Sequence, residues 1–126
     1  MVTVPYHATV RGFEGLRGLR SGLAAWMADL GVDTATTDEL LVAATELATN
    51  ALEASPVEEA HLQAEARTAH LWIEVANDGP PFVRSLTKST RHSDRGRGLE
   101  IVEAFTDAMT IDREEGCTRV AITRTY

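Results

Sequence analysis

Two stretches of helical periodicity follow one another directly, and the alternating stretches come in pairs. That block order limits the folds open to the chain. Leu16, Leu19, Leu23, Trp26, Met27 and Leu30 recur at helical spacing over 14–30, and Gly31 ends the run. A second helix is predicted over 37–54, with Thr36 or Thr37 as its cap, Asp38 and Glu39 in its first turn, and Ser55-Pro56 as its stop. Segments 60–67 and 70–77 both alternate, and the short Thr68-Ala69 link makes them an antiparallel hairpin. Two further strands, 107–113 and 117–125, are joined at Glu114-Glu115-Gly116. Residues 2–10 read as a strand that Pro5 assigns to an edge. A last helix opens at Gly96-Arg97-Gly98 and holds Leu99, Ile101, Val102 and Phe105. Helices in pairs and strands in hairpins predict an α+β fold: a two-layer α/β sandwich with a mixed, mostly antiparallel sheet and helices on one face. A parallel doubly wound sheet would alternate strand and helix strictly.

The 126 residues leave room for one domain, 1–126, which can bury about two-thirds of its unfolded surface. With 44% hydrophobic and 25% charged residues, the chain is neither disordered nor collagen-like. No apolar run approaches the roughly 18 residues a membrane helix needs, so no membrane association is expected. Met1-Val2-Thr3-Val4-Pro5 has no signal-peptide pattern, and the single Cys117 forms no intrachain disulfide. A reducing, cytoplasmic compartment is therefore expected. The net charge of −7 argues against direct nucleic-acid binding. Positive charge is nevertheless concentrated: segment 84–97 carries Arg84, Lys88, Arg91, Arg95 and Arg97 against Asp94 alone. On charge alone it reads equally as a solvated loop or as a site for a compact anion. A long aperiodic loop in a small domain is more often functional than not.

The helix 37–54 has two stripes. Leu40, Ala44, Leu47 and Ala51 form the core stripe; Glu39, Ala43, Glu46, Asn50 and Glu53 form another beside it. Glu46 and Asn50, one turn apart at the edge of the core, are placed to line a cleft. An amide oxygen can ligate Mg²⁺, and a carboxylate can accept a hydroxyl proton. Taken singly, Glu46 reads rather as a solvent-exposed helix residue and Asn50 as a cap or polar edge. Asn77-Asp78-Gly79 can present an amide or carboxylate to a purine amino group, or be an ordinary turn. Gly96-Arg97-Gly98 at a helix start, after a basic loop, suits a phosphate, because helix N-terminal N–H groups point outward and glycine permits close approach. It is neither a P-loop nor a dinucleotide fingerprint.

The order of these segments resembles the GHKL (Bergerat-fold) ATP-binding superfamily. Glu46-Leu47-Ala48-Thr49-Asn50-Ala51 resembles its N-box, Asn77-Asp78-Gly79-Pro80-Pro81 its G1 box, and Gly96-Arg97-Gly98-Leu99-Glu100-Ile101-Val102 its G2 box. Gly116-Cys117-Thr118-Arg119-Val120 resembles the strand near adenine. The resemblance runs from about Thr36 to the end. The leading strand and helix also match the small anti-sigma factor serine/threonine kinases of bacterial partner switches. The resemblance implies ATP and Mg²⁺ as cofactors. Asn50 would be the metal ligand, Glu46 the catalytic base, and Asn77 and Gly79 part of the adenine pocket. Gly96, Gly98 and Leu99 would lie at the phosphates, Arg95 or Arg97 would balance their charge, and Thr118 would bond near adenine, directly or through water. It implies a sigma factor and an anti-anti-sigma antagonist as partners, and a homodimer. Three positions depart from the pattern: Asn77 stands where the G1 box has Asp, Pro81 where it has a second Gly, and Cys117 where the last motif has Gly. The alternative is a nucleotide-binding regulatory module without phosphoryl transfer. A detached histidine-kinase catalytic domain fits less well, since no phosphoacceptor hairpin is present and His7, His61, His70 and His92 sit on no amphipathic helix.

Overall fold

A computed structural model describes residues 4–79 and 100–126. Strand β1 (Tyr6–Arg11) is followed by a short 3-10 turn (Phe13–Gly15) and then by helices α1 (Leu16–Asp29) and α2 (Thr34–Ala54). Strands β2 (Glu59–Arg67) and β3 (His70–Asn77) come next, then β4 (Ala108–Glu114) and β5 (Cys117–Thr125). Residues 100–104 are helical. The five strands form one sheet in the order β1-β2-β3-β5-β4, and every pairing among the described residues is antiparallel. The expected α+β sandwich is thus present, with the predicted edge strand at the β1 side.

The local reasons are readable. Ala69 takes a φ of 67° in the two-residue β2–β3 turn. Glu115 and Gly116, at φ 50° and 82°, make the two-residue β4–β5 turn, whose paired positive φ values match the twist of the flanking strands. Helix α1 ends where Gly31 turns left-handed at φ 81°. Its N–H reaches the Ala28 carbonyl at 3.0 Å and that of Val32 reaches Met27 at 3.1 Å, a Schellman closure.

The start of α2 corrects the sequence expectation. Asp33, not Thr36 or Thr37, is the cap: its carboxylate accepts the Thr36 N–H at 3.2 Å, and the helix begins at Thr34. Asp38 and Glu39 therefore lie beyond the first turn. Glu39 instead pairs with Arg124 at 2.8 Å, tying α2 to the end of β5. At the chain start, the strand begins at Tyr6; residues 2–3 of the expected strand lie outside the described residues. Val4 lies outside it, and its carbonyl accepts the Trp26 indole N–H at 2.8 Å. Asp107 also falls outside β4, because its carboxylate takes the Thr125 N–H and hydroxyl at 2.6 and 2.8 Å.

Alternation decides which face is covered. Along β3, Leu71, Ile73, Val75 and Asn77 are buried, while His70, Trp72, Glu74 and Ala76 are half-buried on the other side. Leu62, Val120 and Ile122 share the buried face with Leu23 and Met27 of α1 and with Leu40, Leu47 and Leu52 of α2. The predicted stripe Leu40, Ala44, Leu47 and Ala51 is fully inside. Each such leucine contributes about 1.5–3 kcal/mol by leaving water.

Candidate functional site

The inner face of the sheet is apolar until its last residues. Asn77 ends β3 and faces Thr118 near the start of β5, and both side chains are completely buried. A buried amide needs partners, since an unpaired polar group in the interior costs about 1–3 kcal/mol. Asn77 Nδ2 donates to the carbonyl of Ala51 in α2 at 3.0 Å. No donor reaches Asn77 Oδ1, the one buried side-chain nitrogen or oxygen without a hydrogen-bond partner among the described residues. The Thr118 hydroxyl donates to the carbonyl of Gly79 at 3.1 Å, pinning the chain as it leaves β3.

Gly79 lies close against the end of α2. A Cβ there would lie 3.1 Å from the Ala54 carbonyl oxygen and 3.1 Å from Pro56 Cδ, so only glycine fits without displacement. Pro56 is held in turn, because the buried Ser55 hydroxyl accepts the N–H groups of Val57 and Glu59 at 3.3 and 3.1 Å. The end of α2, the end of β3 and the start of β5 therefore meet at one place. Glu46 and Asn50 ride on the same helix, both half-buried, with Ala43 of their stripe fully buried and Glu53 exposed.

Of the predicted site residues, the structure thus gathers Asn77, Gly79 and Thr118, and sets Glu46 and Asn50 on the helix that Asn77 bonds. Arg95, Gly96, Arg97, Gly98 and Leu99 lie outside the described residues, as do Pro80 and Pro81. Asp78 is exposed, and Cys117 is half-buried on the strand face opposite Thr118. The carbonyl of Ala51 is a site group that sequence reasoning missed; a backbone oxygen has no residue-type signal.

The site fits a nucleotide on an observation independent of any motif. A fully buried acceptor lacking a donor is what a purine amino group would satisfy. Among the described residues no three His, Cys, Asp or Glu side chains converge on a cation position. No described helix is long and apolar enough to cross a membrane.

Comparison with solved structures places the chain beside the RsbU and RsbW domains of Rv1364c from Mycobacterium tuberculosis, at 21% identity and a TM-score of 0.76 over 98% of this chain. The chain spans 32% of that protein's length. The SiaB–SiaC complex from Pseudomonas aeruginosa matches over 99% of this chain and 91% of that one, at 11% identity and a TM-score of 0.65. No curated protein matches. The model of the histidine kinase-like ATPase domain matches residues 13–124. With nearly its whole length matched, and with the sandwich fold and ordered motifs described above, the chain belongs to the histidine kinase-like ATPase domain family.

Proposed function

We propose that the chain is an ATP-dependent serine/threonine protein kinase of the anti-sigma type, which holds a sigma factor and phosphorylates an anti-anti-sigma antagonist. Membership of an ATPase-domain family implies ATP as the nucleotide. The observation that carries the reading is the orphaned, fully buried Asn77 Oδ1 beside a helix that presents Glu46 and Asn50. The fold neighbours support a protein partner: one contains an RsbW domain together with an RsbU domain, the other is a complex with SiaC.

Each residue has a task in this reading. Asn77 accepts from the base, and Thr118 holds Gly79 so that the chain leaving β3 keeps its place against α2. Asn50 offers an amide oxygen to Mg²⁺, a cation that keeps most of its waters and needs few protein ligands. Gly96, Gly98 and Leu99 receive the phosphates, and Arg95 or Arg97 offsets their charge. The Glu46 carboxylate takes the proton from the hydroxyl of an acceptor serine, leaving its oxygen nucleophilic. When bound, ATP supplies the phosphoryl group, and Mg²⁺ neutralises part of its charge. The product carries about −1.5 to −2 added charges, enough to weaken its hold on a chain of net charge −7. A homodimer is part of the same proposal.

The neutral Asn77 favours a second reading, a nucleotide-binding module that regulates a partner without transfer, since a base acceptor serves binding alone equally well. Glu46→Gln separates the two. It keeps size and helix position and removes the proton acceptor. ATP binding by calorimetry is expected to persist, while phosphorylation of an antagonist captured by pull-down falls about 10²–10⁴-fold. Equal transfer by the variant removes Glu46 as the base; no transfer by the wild type to any captured partner favours the module.

A further inference from the structure

Asn77 does two jobs with one amide, and the first dictates the second. Ala51 lies in the last turn of α2, where carbonyls lose their helical partners. The N–H that would complete the ladder, that of Ser55, goes to Leu52 at 3.2 Å instead. Asn77 Nδ2 takes its place on the Ala51 carbonyl at 3.0 Å. Turning the amide over would set Oδ1 against that carbonyl and leave two buried acceptors facing each other. We propose that the Ala51 carbonyl is a positioning group that locks the Asn77 amide in one orientation. Asn77 Oδ1 is then a fixed, uncharged acceptor for the 6-amino group of a purine, and a carboxylate cannot replace the amide. This rests on the nucleotide reading above.

The lock has a consequence opposite to simple motif repair. The G1 box that this segment resembles carries Asp at position 77, so restoring it ought to strengthen base recognition. Here the replaced Nδ2 is the donor that satisfies Ala51. Asn77→Asp therefore brings a second acceptor to within hydrogen-bonding distance of an existing one, in a place with no solvent exposure. Asn77→Ala merely leaves the carbonyl and a small void.

Two measurements test this. Without nucleotide, at pH 8, Asn77→Asp is expected to melt below Asn77→Ala, and below the wild type by about 5 °C or more. A carboxylate variant as stable as the wild type would overturn the lock. The second measurement uses the wild-type protein, so it stands even where the carboxylate variant does not fold. Calorimetry with Mg²⁺ compares ATP, purine riboside triphosphate (no 6-substituent) and inosine triphosphate (6-oxo). Both analogues are expected to bind at least about tenfold more weakly, because each leaves Oδ1 unsatisfied. In Asn77→Ala the preference for ATP over purine riboside triphosphate should vanish. Equal wild-type affinity for all three refutes base reading by the locked acceptor while leaving a nucleotide site intact. Binding of none of them sinks the nucleotide reading, with the melting comparison still deciding the lock.

Discussion

Thr118→Val isolates the hydroxyl that holds the exit of β3. The side chain is fully buried, and its hydroxyl donates to the Gly79 carbonyl at 3.1 Å. Valine keeps the branched shape, so the change removes one donor and little volume. The lost hydrogen bond is worth about 0.5–1.5 kcal/mol, and a wholly buried carbonyl left without it would cost about 1–3. Gly79 is partly exposed, so water repays some of that and the lower range applies. We therefore expect about 0.5–1.5 kcal/mol of lost stability. At about 2.1 cal/mol/K of unfolding entropy per residue over 126 residues, that is a fall of about 2–6 °C in melting temperature. Thr118→Ser is the control: it deletes a methyl and loses a similar amount through packing, yet keeps the donor. The two variants should differ in ATP affinity. Serine stays near the wild type, whereas valine binds several-fold more weakly, because the chain entering the site is no longer pinned. Differential scanning calorimetry and titration calorimetry on the same preparations read both quantities. A valine variant matching the wild type in stability and in affinity refutes the pinning role.

Asn50→Ala should weaken Mg²⁺-dependent ATP binding and leave metal-free binding nearly unchanged; equal affinity with the metal present removes Asn50 as its ligand. Gly79→Ala should cost about 1–3 kcal/mol in urea unfolding, because the new methyl meets the Ala54 carbonyl and the Pro56 ring at 3.1 Å and neither is a flexible side chain. Asp33 and Asp107 are held below the usual carboxylate pKa by bonds from Thr36 and from the Thr125 N–H and hydroxyl respectively. A depressed folded pKa contributes stability above the ordinary value of 3.8 that is lost as pH falls through the folded value. Asp33→Ala and Asp107→Asn should therefore be less stable than wild type at pH 7, with the gap closing below pH about 3.8 in urea titrations. Glu74 runs the other way: burial raises its pKa, so stability falls as pH rises above the ordinary 4.5, and Glu74→Gln should flatten that part of the profile.

Much of the fold was legible because the code for it is local. Leu40, Ala44, Leu47 and Ala51 repeat with the helix, Leu71, Ile73 and Val75 alternate with the strand, and Gly31 and Gly116 mark left-handed turns. The start of α2 was not. Asp33, Thr36 and Thr37 are all competent caps, and the choice fell to the residue placed just after the Schellman turn closing α1. The start of β1 misled in the same way: alternation through Val4 suggested pairing, yet among the described residues the β2 register begins at Tyr6 opposite Ala64. At the site, residue types singled out Asn77, Gly79 and Thr118, and the fold brings these three together. Their wiring was invisible, because it runs through the carbonyls of Ala51 and Gly79, which any residue carries.

That wiring links the two ends of the proposed site. Glu46 and Asn50 lie on α2 before Ala51, and the Ala51 carbonyl is held by the amide that would read the base. The helix bearing the proposed metal ligand and proton acceptor is thus anchored through its last turn to the strand bearing the proposed base acceptor. Buried Leu47 and Leu52 fix the same stretch of helix against the sheet. A change at Asn77 therefore acts twice, once by removing an acceptor and once by releasing a helix terminus. Affinity for the base and stability of the free protein should fall together in Asn77→Ala. By contrast, Asn50→Ala and Glu46→Gln alter half-buried side chains upstream of that anchor and should leave the ligand-free protein near wild-type stability. If Glu46→Gln or Asn50→Ala proves as unstable without nucleotide as Asn77→Ala, those side chains serve the helix itself, and their assignment to metal and proton chemistry loses its footing.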